Sequence, residues 1–295
     1  MDEVYIAPGP ASTKLAEETA KLLRAKLLRV NSKVFPDGES YLRFDEEAVA
    51  RNVFVFQSTY PPQDRHLLQL AFMASKLAEG GSRVVAVVPY LAYARQHRAF
   101  LPGEVVSLKT VAKMMGAAGV KRMITVDIHN VEGLGYFDIP AHSISAVPLL
   151  ADYVVEQRMV ENPLVVAPDR GASVRAEAMA ARLNTDFASL EKARDRVTGE
   201  TSVVVPEGVD AKGRDVVLVD DLISTGGTIA KAAKALRAGG AKKVVVTCTH
   251  ALLAEGAMER MKEAGIREFV ATDTIPGEHG RVSVAPIVAD FIKQL

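Results

Sequence analysis

Residues 216–228 read Val-Val-Leu-Val-Asp-Asp-Leu-Ile-Ser-Thr-Gly-Gly-Thr, and this stretch decides the fold. Its four leading apolar residues, 216–219, predict a short strand buried inside a parallel sheet. Asp220 and Asp221 follow where that strand should leave the core. A helical pattern opens after Thr228, so a strand, a glycine-containing turn and a helix N-terminus stand in succession. Together they predict an anion site, because free backbone N–H groups and the positive end of the helix dipole point at the ligand.

The acid pair narrows the kind of ligand. Two adjacent carboxylates at the end of a buried strand repel each other and are costly to desolvate without cationic or hydroxyl partners. Sugar hydroxyls, or Mg²⁺ carried by the ligand, would supply such partners. The plainer alternative is an Asp N-cap followed by a Thr/Gly turn, which would explain either half of the stretch alone. The stretch as a whole favours the ligand site.

Length and composition indicate a globular protein with room for two domains. The chain has 295 residues, of which 48% are hydrophobic and 24% charged. Its 36 basic and 36 acidic residues give zero formal net charge, so we expect no nucleic-acid partner. The N-terminus shows no signal region and no apolar run reaches membrane-spanning length, so we expect a cytoplasmic protein with no membrane partner. Cys248, the only cysteine, lies in an apolar run that predicts a buried strand residue rather than a nucleophile.

An internal repeat predicts two similar α/β domains. Residues 53–88 and residues 216–249 both follow the order strand, loop, helix, Gly-Gly, strand. The first copy has Gln-Ser-Thr-Tyr-Pro-Pro over residues 57–62 in place of the acid pair and the glycine turn. We therefore expect only the second domain to keep the phosphate loop. We place the domains at residues 1–143 and 144–295, and the terminal helix could pack back on the first domain.

Polar residues that follow two further strands predict contacts to a nucleotide and a metal ion. Arg95, Gln96 and Arg98 come shortly after a strand, where α/β sheets hold ligands. Arginine can stack on a base or pair with phosphate, and the alternative is a solvated basic loop. His129 follows the next strand and, with Asp169, makes a plausible Mg²⁺ site beside phosphates. The alternative there is a structural histidine, because Mg²⁺ prefers oxygen ligands.

Two segments depart from the regular βα pattern. Residues 27–44 hold two strand-like edges around a Pro-Asp-Gly turn and predict a hairpin, which by itself needs no function. Residues 191–200 alternate in charge without an apolar period, which predicts an exposed, mobile loop. Such a loop is either simply solvated or a lid that brings Lys192 and Arg194 onto transferring phosphates and excludes water.

Taken in order, these motifs resemble those of a known family. The stretch 216–228 is similar to the PRPP-binding loop of the phosphoribosyltransferase-like fold. The whole chain resembles the ribose-phosphate diphosphokinases, also called PRPP synthetases, and its pattern is closer to archaeal members. The likeness rests on Phe35-Pro36-Asp37-Gly38-Glu39, Tyr93-Ala94-Arg95-Gln96, Val126-Asp127-Ile128-His129, Pro168-Asp169-Arg170-Gly171, Lys192-Ala193-Arg194 and the loop from Asp220 to Thr228. It implies an α/β fold of two similar phosphoribosyltransferase-like domains, each a mostly parallel sheet flanked by helices.

The resemblance also implies a reaction and a set of roles. Family members transfer the β,γ-diphosphoryl group of ATP to the anomeric hydroxyl of ribose 5-phosphate, giving PRPP and AMP for nucleotide biosynthesis. By this likeness ATP is bound by Phe35, Asp37, Glu39, Arg95, Gln96, Arg98 and His129, the first three reaching in from a neighbouring subunit. Ribose 5-phosphate is bound by Asp220, Asp221, Ser224, Thr225, Gly226, Gly227 and Thr228, with the acid pair on the ribose hydroxyls. His129 and Asp169 hold the Mg²⁺ cofactor, and Lys192 and Arg194 act in catalysis.

An ATP site shared between subunits implies a homo-oligomer, at least a dimer. His97 and Ser224 stand where bacterial and animal members usually have Asp, and residues 99–106 lack those members' basic regulatory segment, so that regulation is not carried over. Two other functions use the same fold: a phosphoribosyltransferase that consumes PRPP, and a non-catalytic regulator. The extra N-terminal domain and the Lys192/Arg194 segment weigh against the first. Zero net charge and the intact candidate catalytic residues weigh against the second.

Overall fold

The computed structural model describes residues 4–46, 52–194, 201–204 and 209–295, with the backbone alone described for 192–194 and 201–204. Contacts divide the chain into two units. Unit 1 comprises Met1–Ser145, Thr274–Pro276 and Ser283–Leu295, and unit 2 comprises Ala146–Asp273 and Gly277–Val282. Within the described ranges, no helix is long and apolar enough to cross a membrane.

Unit 1 is a parallel sheet flanked by helices. Its elements, in chain order, are β1 (Val4–Pro8), α1 (Thr13–Leu23), β2 (Lys26–Leu27), β3 (Val30–Val34), β4 (Ser40–Phe44), β5 (Asn52–Phe56), α2 (Gln63–Glu79), β6 (Arg83–Val88), α3 (Ser107–Ala117), β7 (Val120–Val126) and β8 (Ala141–Ile144). Six strands stand in the order β2-β1-β5-β6-β7-β8, and every described pairing between them is parallel. Apolar residues of β5 pack with those of α2 in the core of this unit.

The predicted hairpin is confirmed as a separate two-stranded sheet. Strands β3 and β4 pair antiparallel from Val30 opposite Phe44 to Val34 opposite Ser40. Between them the amide of Phe35 donates to the carbonyl of Glu39 at 2.8 Å, which closes the turn. Gly38 has φ +97°, a backbone angle that favours glycine over side-chain-bearing residues.

Unit 2 repeats the same architecture. Its elements are α4 (Val147–Glu156), β9 (Pro163–Ala167), α5 (Ser173–Leu183), β10 (Phe187–Ser189), β11 (Glu191–Arg194), β12 (Thr201–Val204), β13 (Asp215–Ile223), α6 (Gly227–Ala238), β14 (Lys243–Ala251), α7 (Ala257–Glu263), β15 (Glu268–Thr272) and β16 (Gly280–Val282). The sheet order is β10-β9-β13-β14-β15-β16, and its described pairings are also parallel. The last helix, α8 (Ala285–Lys293), belongs to unit 1, where it packs on α1.

Strand β13 is central and covered on both faces. Val216 and Leu218 pack with apolar residues of α6 and α7, including Ile229, while Val217 and Val219 pack with those of α4 and α5. Side chains alternate between the two faces of a strand. A strand buried on both faces must therefore be apolar at consecutive positions, which is why the sequence predicts this strand.

The internal repeat is confirmed by the matching strand order of the two sheets. In unit 1 the loop that corresponds to the phosphate loop of unit 2 uses its polar groups in hydrogen bonds within the protein. The hydroxyl of Ser58 donates to the carbonyl of Thr274 at 2.6 Å, and that of Thr59 donates to the carbonyl of Tyr90 at 2.8 Å. The amide of Ser58 donates to the hydroxyl of Ser12 at 2.8 Å. These groups are satisfied inside the protein, so this loop is not arranged to receive a phosphate.

Two expectations about local structure are wrong. The strand of the deciding stretch does not end before the acid pair, because β13 runs on to Ile223 along β14. Residues Glu191–Arg194 do not form a loop, because they pair as a strand with Thr201–Val204. Residues 195–200 of the expected loop, and the side chains of Lys192 and Arg194, lie outside the described part of the chain.

Candidate active site

Strand β13 extends beyond the last residue at which its neighbour β9 pairs with it, and we call this overhang the step. Strand β9 pairs with β13 only as far as Leu218 opposite Val166, whereas β14 pairs with it up to Ile223 opposite Ala251. The chain adds strands outward from β9 on one side and from β13 on the other, so the strand order reverses between them. In parallel α/β sheets ligands bind at such a point, beyond the carboxyl ends of the strands. The acid pair lies at this step.

The two acids of β13 have different surroundings. Asp220 lies beside Cys248 of β14, on the face that carries α6. The carboxylate of Asp221 lies 3.8 Å from the guanidinium of Arg175, which belongs to α5. That pair is mostly buried, with 5% of the Asp221 side chain and 15% of the Arg175 side chain exposed. One acid is therefore paired with a cation of its own unit, and the other faces the phosphate loop.

Asp220 is held in an unfavourable setting for its charge. Burial raises its pKa well above the ordinary value, and the neighbouring carboxylates of Asp221 and Asp169 raise it further. The amide of Asp221 donates to Oδ1 of Asp220 at 2.9 Å, which opposes the rise. The side chain still keeps part of its surface open. A carboxylate that its own protein leaves under-compensated is suited to hydroxyl donors or a cation brought by a ligand.

The turn after β13 begins helix α6 at a glycine, so the Asp N-cap alternative is wrong. The N-cap residue is Gly226, in the left-handed region at φ +72°. A Cβ there would lie 3.1 Å from the carbonyl oxygen of Ala257 and 3.2 Å from Cγ of Met261. Close packing against these two residues therefore also favours glycine at this position. Having no side chain, this N-cap cannot occupy the first amides of the helix. These amides are the donors that an anion takes up at a helix N-terminus.

The carbonyls of the same turn are held by the segment that follows β14. The amide of Leu253 donates to the carbonyl of Ile223 at 3.1 Å, and that of Ala254 donates to Ser224 at 3.0 Å. The guanidinium of Arg260 donates to the carbonyl of Thr225. With its acceptors fixed in this way, the turn Ser224–Thr228 presents donors rather than acceptors to a ligand.

Asp169 stands at the end of β9, across the step from the acid pair. Its Oδ1 accepts from the amide of Gly171 at 2.9 Å, which caps a short 3-10 turn. Its charge is one of the causes that raise the pKa of Asp220. The guanidinium of Arg170 meets the carboxylate of Glu191 at 2.6 Å, which ties the start of β11 to this turn. The structure therefore brings Asp169, the acid pair and the phosphate turn together within unit 2.

In unit 1 the predicted ATP residues follow adjacent strands. Arg95, Gln96 and Arg98 are exposed and lie after β6, and His129 is exposed and lies after β7. The side-chain oxygen of Gln96 accepts from the hydroxyl of Ser107, and the guanidinium of Arg98 lies 4.8 Å from the ring centre of Phe100. Since β6 and β7 are neighbours in the sheet, the two segments meet at one edge of it.

The three remaining ATP residues lie on the hairpin of β3 and β4. Asp37 accepts from the amide of Glu39 at 3.1 Å, so the acidic turn is internally ordered. Phe35 is 38% exposed, and Lys33 places its ammonium 4.5 Å from the ring centre. An exposed aromatic ring beside a cation and two acids can stack on a base and bond its edge. The amide of Gly38 donates to the carbonyl of Phe35 at 2.9 Å, a further hydrogen bond within this turn.

Two arginines that contact the candidate site residues were not predicted from the sequence. Arg175 pairs with Asp221, and Arg260 holds the phosphate turn through the carbonyl of Thr225. Arg175 is the third residue of α5, which follows Pro168-Asp169-Arg170-Gly171, and a helix start after a strand end was the available signal. Nothing local to Arg260 marks it, because its contact spans 35 positions of the chain.

This site defines a class of protein. An acid pair on a central parallel strand, followed by a glycine turn and a helix N-terminus, is the arrangement expected of the phosphoribosyltransferase-like fold, and such a turn suits an anionic group. Residues 143–285 match the model of the phosphoribosyl transferase domain. Residues 4–119 match the model of the N-terminal domain of ribose phosphate pyrophosphokinase.

Similar proteins make the assignment narrower. The ribose-phosphate pyrophosphokinase of Sulfolobus acidocaldarius is 39% identical over 293 residues, which cover 99% of this chain and 100% of that protein. That of Methanopyrus kandleri is 41% identical over 283 residues, or 96% of each chain. The crystal structure of phosphoribosylpyrophosphate synthetase from Mycobacterium smegmatis matches with a TM-score of 0.88 and 34% identity, over 99% of this chain and 98% of that one. The chain belongs to the ribose-phosphate pyrophosphokinase family.

Proposed function

We propose that this chain is a ribose-phosphate diphosphokinase, which transfers the β,γ-diphosphoryl group of ATP to the anomeric hydroxyl of ribose 5-phosphate. The products are PRPP and AMP, and PRPP supplies nucleotide biosynthesis in the cytoplasm. One observation carries the proposal: the acid pair and the phosphate turn are intact at the end of β13, in a chain that relatives of this name match over its whole length.

Unit 2 would bind ribose 5-phosphate. The amides of Ser224–Thr228 and the first turn of α6 donate to the 5-phosphate. Asp220 and Asp221 accept from the ribose hydroxyls, and those bonds offset the unfavourable burial of Asp220. Arg175 keeps Asp221 oriented for this contact. The sugar is then fixed with its anomeric hydroxyl held away from the phosphate turn.

Unit 1 would bind ATP. Arg95, Gln96, Arg98 and His129 are exposed at one edge of the sheet, where cationic and amide groups can contact the phosphates and the base. Phe35, Asp37 and Glu39 would contact adenine from the hairpin of a neighbouring subunit. The enzyme is then a homo-oligomer, at least a dimer, with each ATP site completed across an interface. Neither nucleic acid nor membrane is among the partners we propose.

Mg²⁺ is the cofactor that the resemblance implies, and the donor chemistry of unit 2 fits it. Asp169 and Asp221 add to burial in raising the pKa of Asp220, so this end of the sheet is rich in carboxylate oxygen. Within the described ranges, no three His, Cys, Asp or Glu side chains form a metal cage by themselves. By the resemblance, His129 and Asp169 would hold the ion together with phosphate oxygens of the substrates. When bound, it would neutralise phosphate charge.

Lys192 and Arg194, on β11, would act in catalysis. The anomeric oxygen attacks the β-phosphorus, and negative charge builds on the oxygen that bridges to AMP. Two cations placed at that oxygen stabilise the charge, most strongly where water is excluded. The protein has little covalent work to do, because phosphoryl transfer depends chiefly on positioning and electrostatics.

The products test the proposal. Purified protein is incubated with ATP, MgCl₂ and ribose 5-phosphate, and nucleotides and PRPP are quantified over time. We expect AMP and PRPP in equal amounts, with no turnover when ribose 5-phosphate or Mg²⁺ is omitted. ADP as the nucleotide product would contradict the proposal, because it indicates transfer of a single phosphoryl group. Consumption of added PRPP with a purine base, releasing pyrophosphate, would favour the phosphoribosyltransferase instead.

A further inference from the structure

One buried residue interrupts the exposed ATP segment of unit 1. Arg95, Gln96 and Arg98 are exposed, whereas His97 between them is only 6% exposed. Its backbone is tied down as well, because the hydroxyl of Tyr136 donates to the carbonyl of His97 at 2.7 Å. Gly133 leaves room for this packing: a Cβ there would lie 2.5 Å from Cδ2 of Leu108 and 3.7 Å from Cβ of His97. His97 is thus the anchor of an otherwise solvent-facing segment.

Hydrogen-bond chemistry assigns the tautomer of this ring. Oδ1 of Asn130 accepts from the amide of Glu132 at 2.8 Å, which fixes the orientation of the Asn130 amide. Its Nδ2 is therefore the group that lies 2.9 Å from Nε2 of His97. Since an amide nitrogen only donates, Nε2 must accept, and the ring carries its proton on Nδ1.

The ring connects the two segments that hold the predicted ATP residues. Asn130 is the direct neighbour of His129, and the rings of His97 and His129 lie edge to face with centres 6.4 Å apart. His97 itself lies between Gln96 and Arg98. Through one side chain, the segment after β6 is therefore bonded to the segment after β7.

A histidine at position 97 is less favourable for stability than an apolar residue would be at such a buried position. Nδ1 of His97 is buried and meets no hydrogen-bond partner among the residues that the structure describes. A buried donor without an acceptor is unfavourable, and such local conflicts concentrate at functional sites. An apolar ring would fill the same space without this conflict, so packing alone does not account for a histidine here.

We propose that His97 is a positioning residue for ATP: its Nε2 accepts from Asn130 and thereby sets the geometry between the Arg95–Arg98 segment and His129. The inference rests on the proposed function, because it takes these residues to contact ATP. His97 does not touch the substrate, since its ring is buried beneath them. Its loss should therefore weaken ATP binding rather than abolish the chemistry.

Two variants of similar size separate this role from a structural one. In His97→Gln, the side-chain amide oxygen can take the place of Nε2 and accept from Asn130. In His97→Asn, the amide falls at the position of Nδ1, so the acceptor for Asn130 is lost. We expect the KM for ATP to rise about tenfold in His97→Asn and to stay within about twofold of wild type in His97→Gln. Neither variant should change the KM for ribose 5-phosphate.

The experiment combines steady-state kinetics, calorimetric titration with ATP, and long-range ¹H–¹⁵N spectra of histidine-labelled protein. The spectra should show the His97 signal with Nε2 unprotonated; a proton on Nε2 would overturn the inference. So would equal ATP affinity in all three proteins, or an equal loss in both variants. If wild type binds ATP but forms no AMP and PRPP, the proposed reaction fails instead, and calorimetry still decides the role of His97.

A further variant covers the case in which His97→Asn does not fold. Tyr136→Phe removes only the hydroxyl that donates to the carbonyl of His97 and keeps the ring against Lys109. We expect the KM for ATP to rise about threefold with an unchanged KM for ribose 5-phosphate. An unchanged KM for ATP in this variant would contradict the anchoring of the segment.

Discussion

The surroundings of Asp220, in the proposed sugar-phosphate site, disfavour its negative charge. Burial and the charges of Asp221 and Asp169 raise its pKa, while Asp221 has Arg175 at 3.8 Å. Two adjacent acids of one strand thus have different surroundings, because only Asp221 lies beside the mostly buried guanidinium of Arg175 in the described ion pairs. The sequence showed that the acids needed partners. It did not show that one of them finds a cation within its own unit.

We predict that Asp220→Asn stabilises the ligand-free protein. Removal of the disfavoured charge should add about 1 kcal/mol and raise the melting temperature by about 2–4 °C. Because the pKa is raised in the folded state, the wild type loses stability as the pH rises through that pKa and regains it as the pH falls. The difference between variant and wild type should therefore narrow toward acid pH in thermal unfolding scans.

Asp221→Asn is the matched control for that prediction. It removes a carboxylate that lies beside a mostly buried guanidinium, so it should not stabilise the protein. Both variants should raise the KM for ribose 5-phosphate more than that for ATP. A destabilised Asp220→Asn, or a difference from wild type that stays constant with pH, would contradict this account of the acid pair.

At the scale of elements, the turn between β13 and α6 depends on one of its two glycines more than the other. Gly226 combines a positive φ with close contacts to α7, whereas a Cβ at Gly227 would meet only Oγ1 of Thr225, at an ordinary 3.7 Å. The sequence pair Gly-Gly gives no sign of this difference. It arises from the packing of α7, which is distant along the chain.

Gly226→Ala should therefore destabilise the protein by roughly 1–3 kcal/mol and raise the KM for ribose 5-phosphate. Gly227→Ala, in the first turn of α6, should cost no stability and is the control. Urea unfolding and kinetics of the two variants give the comparison. Equal effects would show that the left-handed N-cap does not shape the phosphate turn.

A second element, the hairpin of β11 and β12, carries the proposed catalytic cations. Lys192→Ala and Arg194→Ala should each lower kcat by roughly a hundredfold or more, the scale of one lost charge-stabilising donor, with much smaller changes in KM. Glu191→Gln, on the same strand, removes only an exposed ion pair with Arg170 and should leave kcat unchanged. A loss of ribose 5-phosphate affinity at unchanged kcat would show that the two cations act in binding.

The buried parallel strands were the elements that the sequence predicted most directly. The strand that ends the first copy of the repeat was predicted, because the buried residues 84–88 of β6 are all apolar. Helix α5 was missed, because its buried residues are chiefly alanines and its apolar stripe is weak. Strand β11 was expected as a loop, because it lies outside the main sheets and shows no apolar period. The candidate site residues were predicted from motifs, whereas their partners Arg175 and Arg260 depend on long-range packing.

In the molecule as a whole, the same sheet architecture occurs in both units, but the loop after the corresponding strand differs in its hydrogen bonding. In unit 2 the loop after the central strand presents donors, and in unit 1 the equivalent hydroxyls of Ser58 and Thr59 are consumed by internal hydrogen bonds. The unit 1 segments after β6 and β7 instead hold the proposed ATP residues. The repeat was visible in the sequence because both copies keep the same apolar strands and Gly-Gly helix ends.

The proposed shared ATP site predicts complementation between inactive subunits. A variant that lacks the side chains of Phe35 and Glu39, and Lys192→Ala, should each be nearly inactive alone. Mixed after reversible dissociation, they form mixed dimers with one doubly defective site and one intact site. Random pairing makes about half of the dimers mixed, so activity should recover to roughly a quarter of wild type. Flat activity, with subunit exchange confirmed by mass spectrometry, would place the whole site in one chain.

In the proposed reaction two phosphoryl groups leave ATP together. The most direct measurement uses ATP labelled at the β-phosphorus, with ribose 5-phosphate and Mg²⁺, and follows the label by chromatography. We predict that the label moves into PRPP at the same rate as unlabelled AMP forms. Label that remains in the adenine nucleotide, as labelled ADP, would contradict the account, because it would mean that the γ-phosphoryl group is transferred alone.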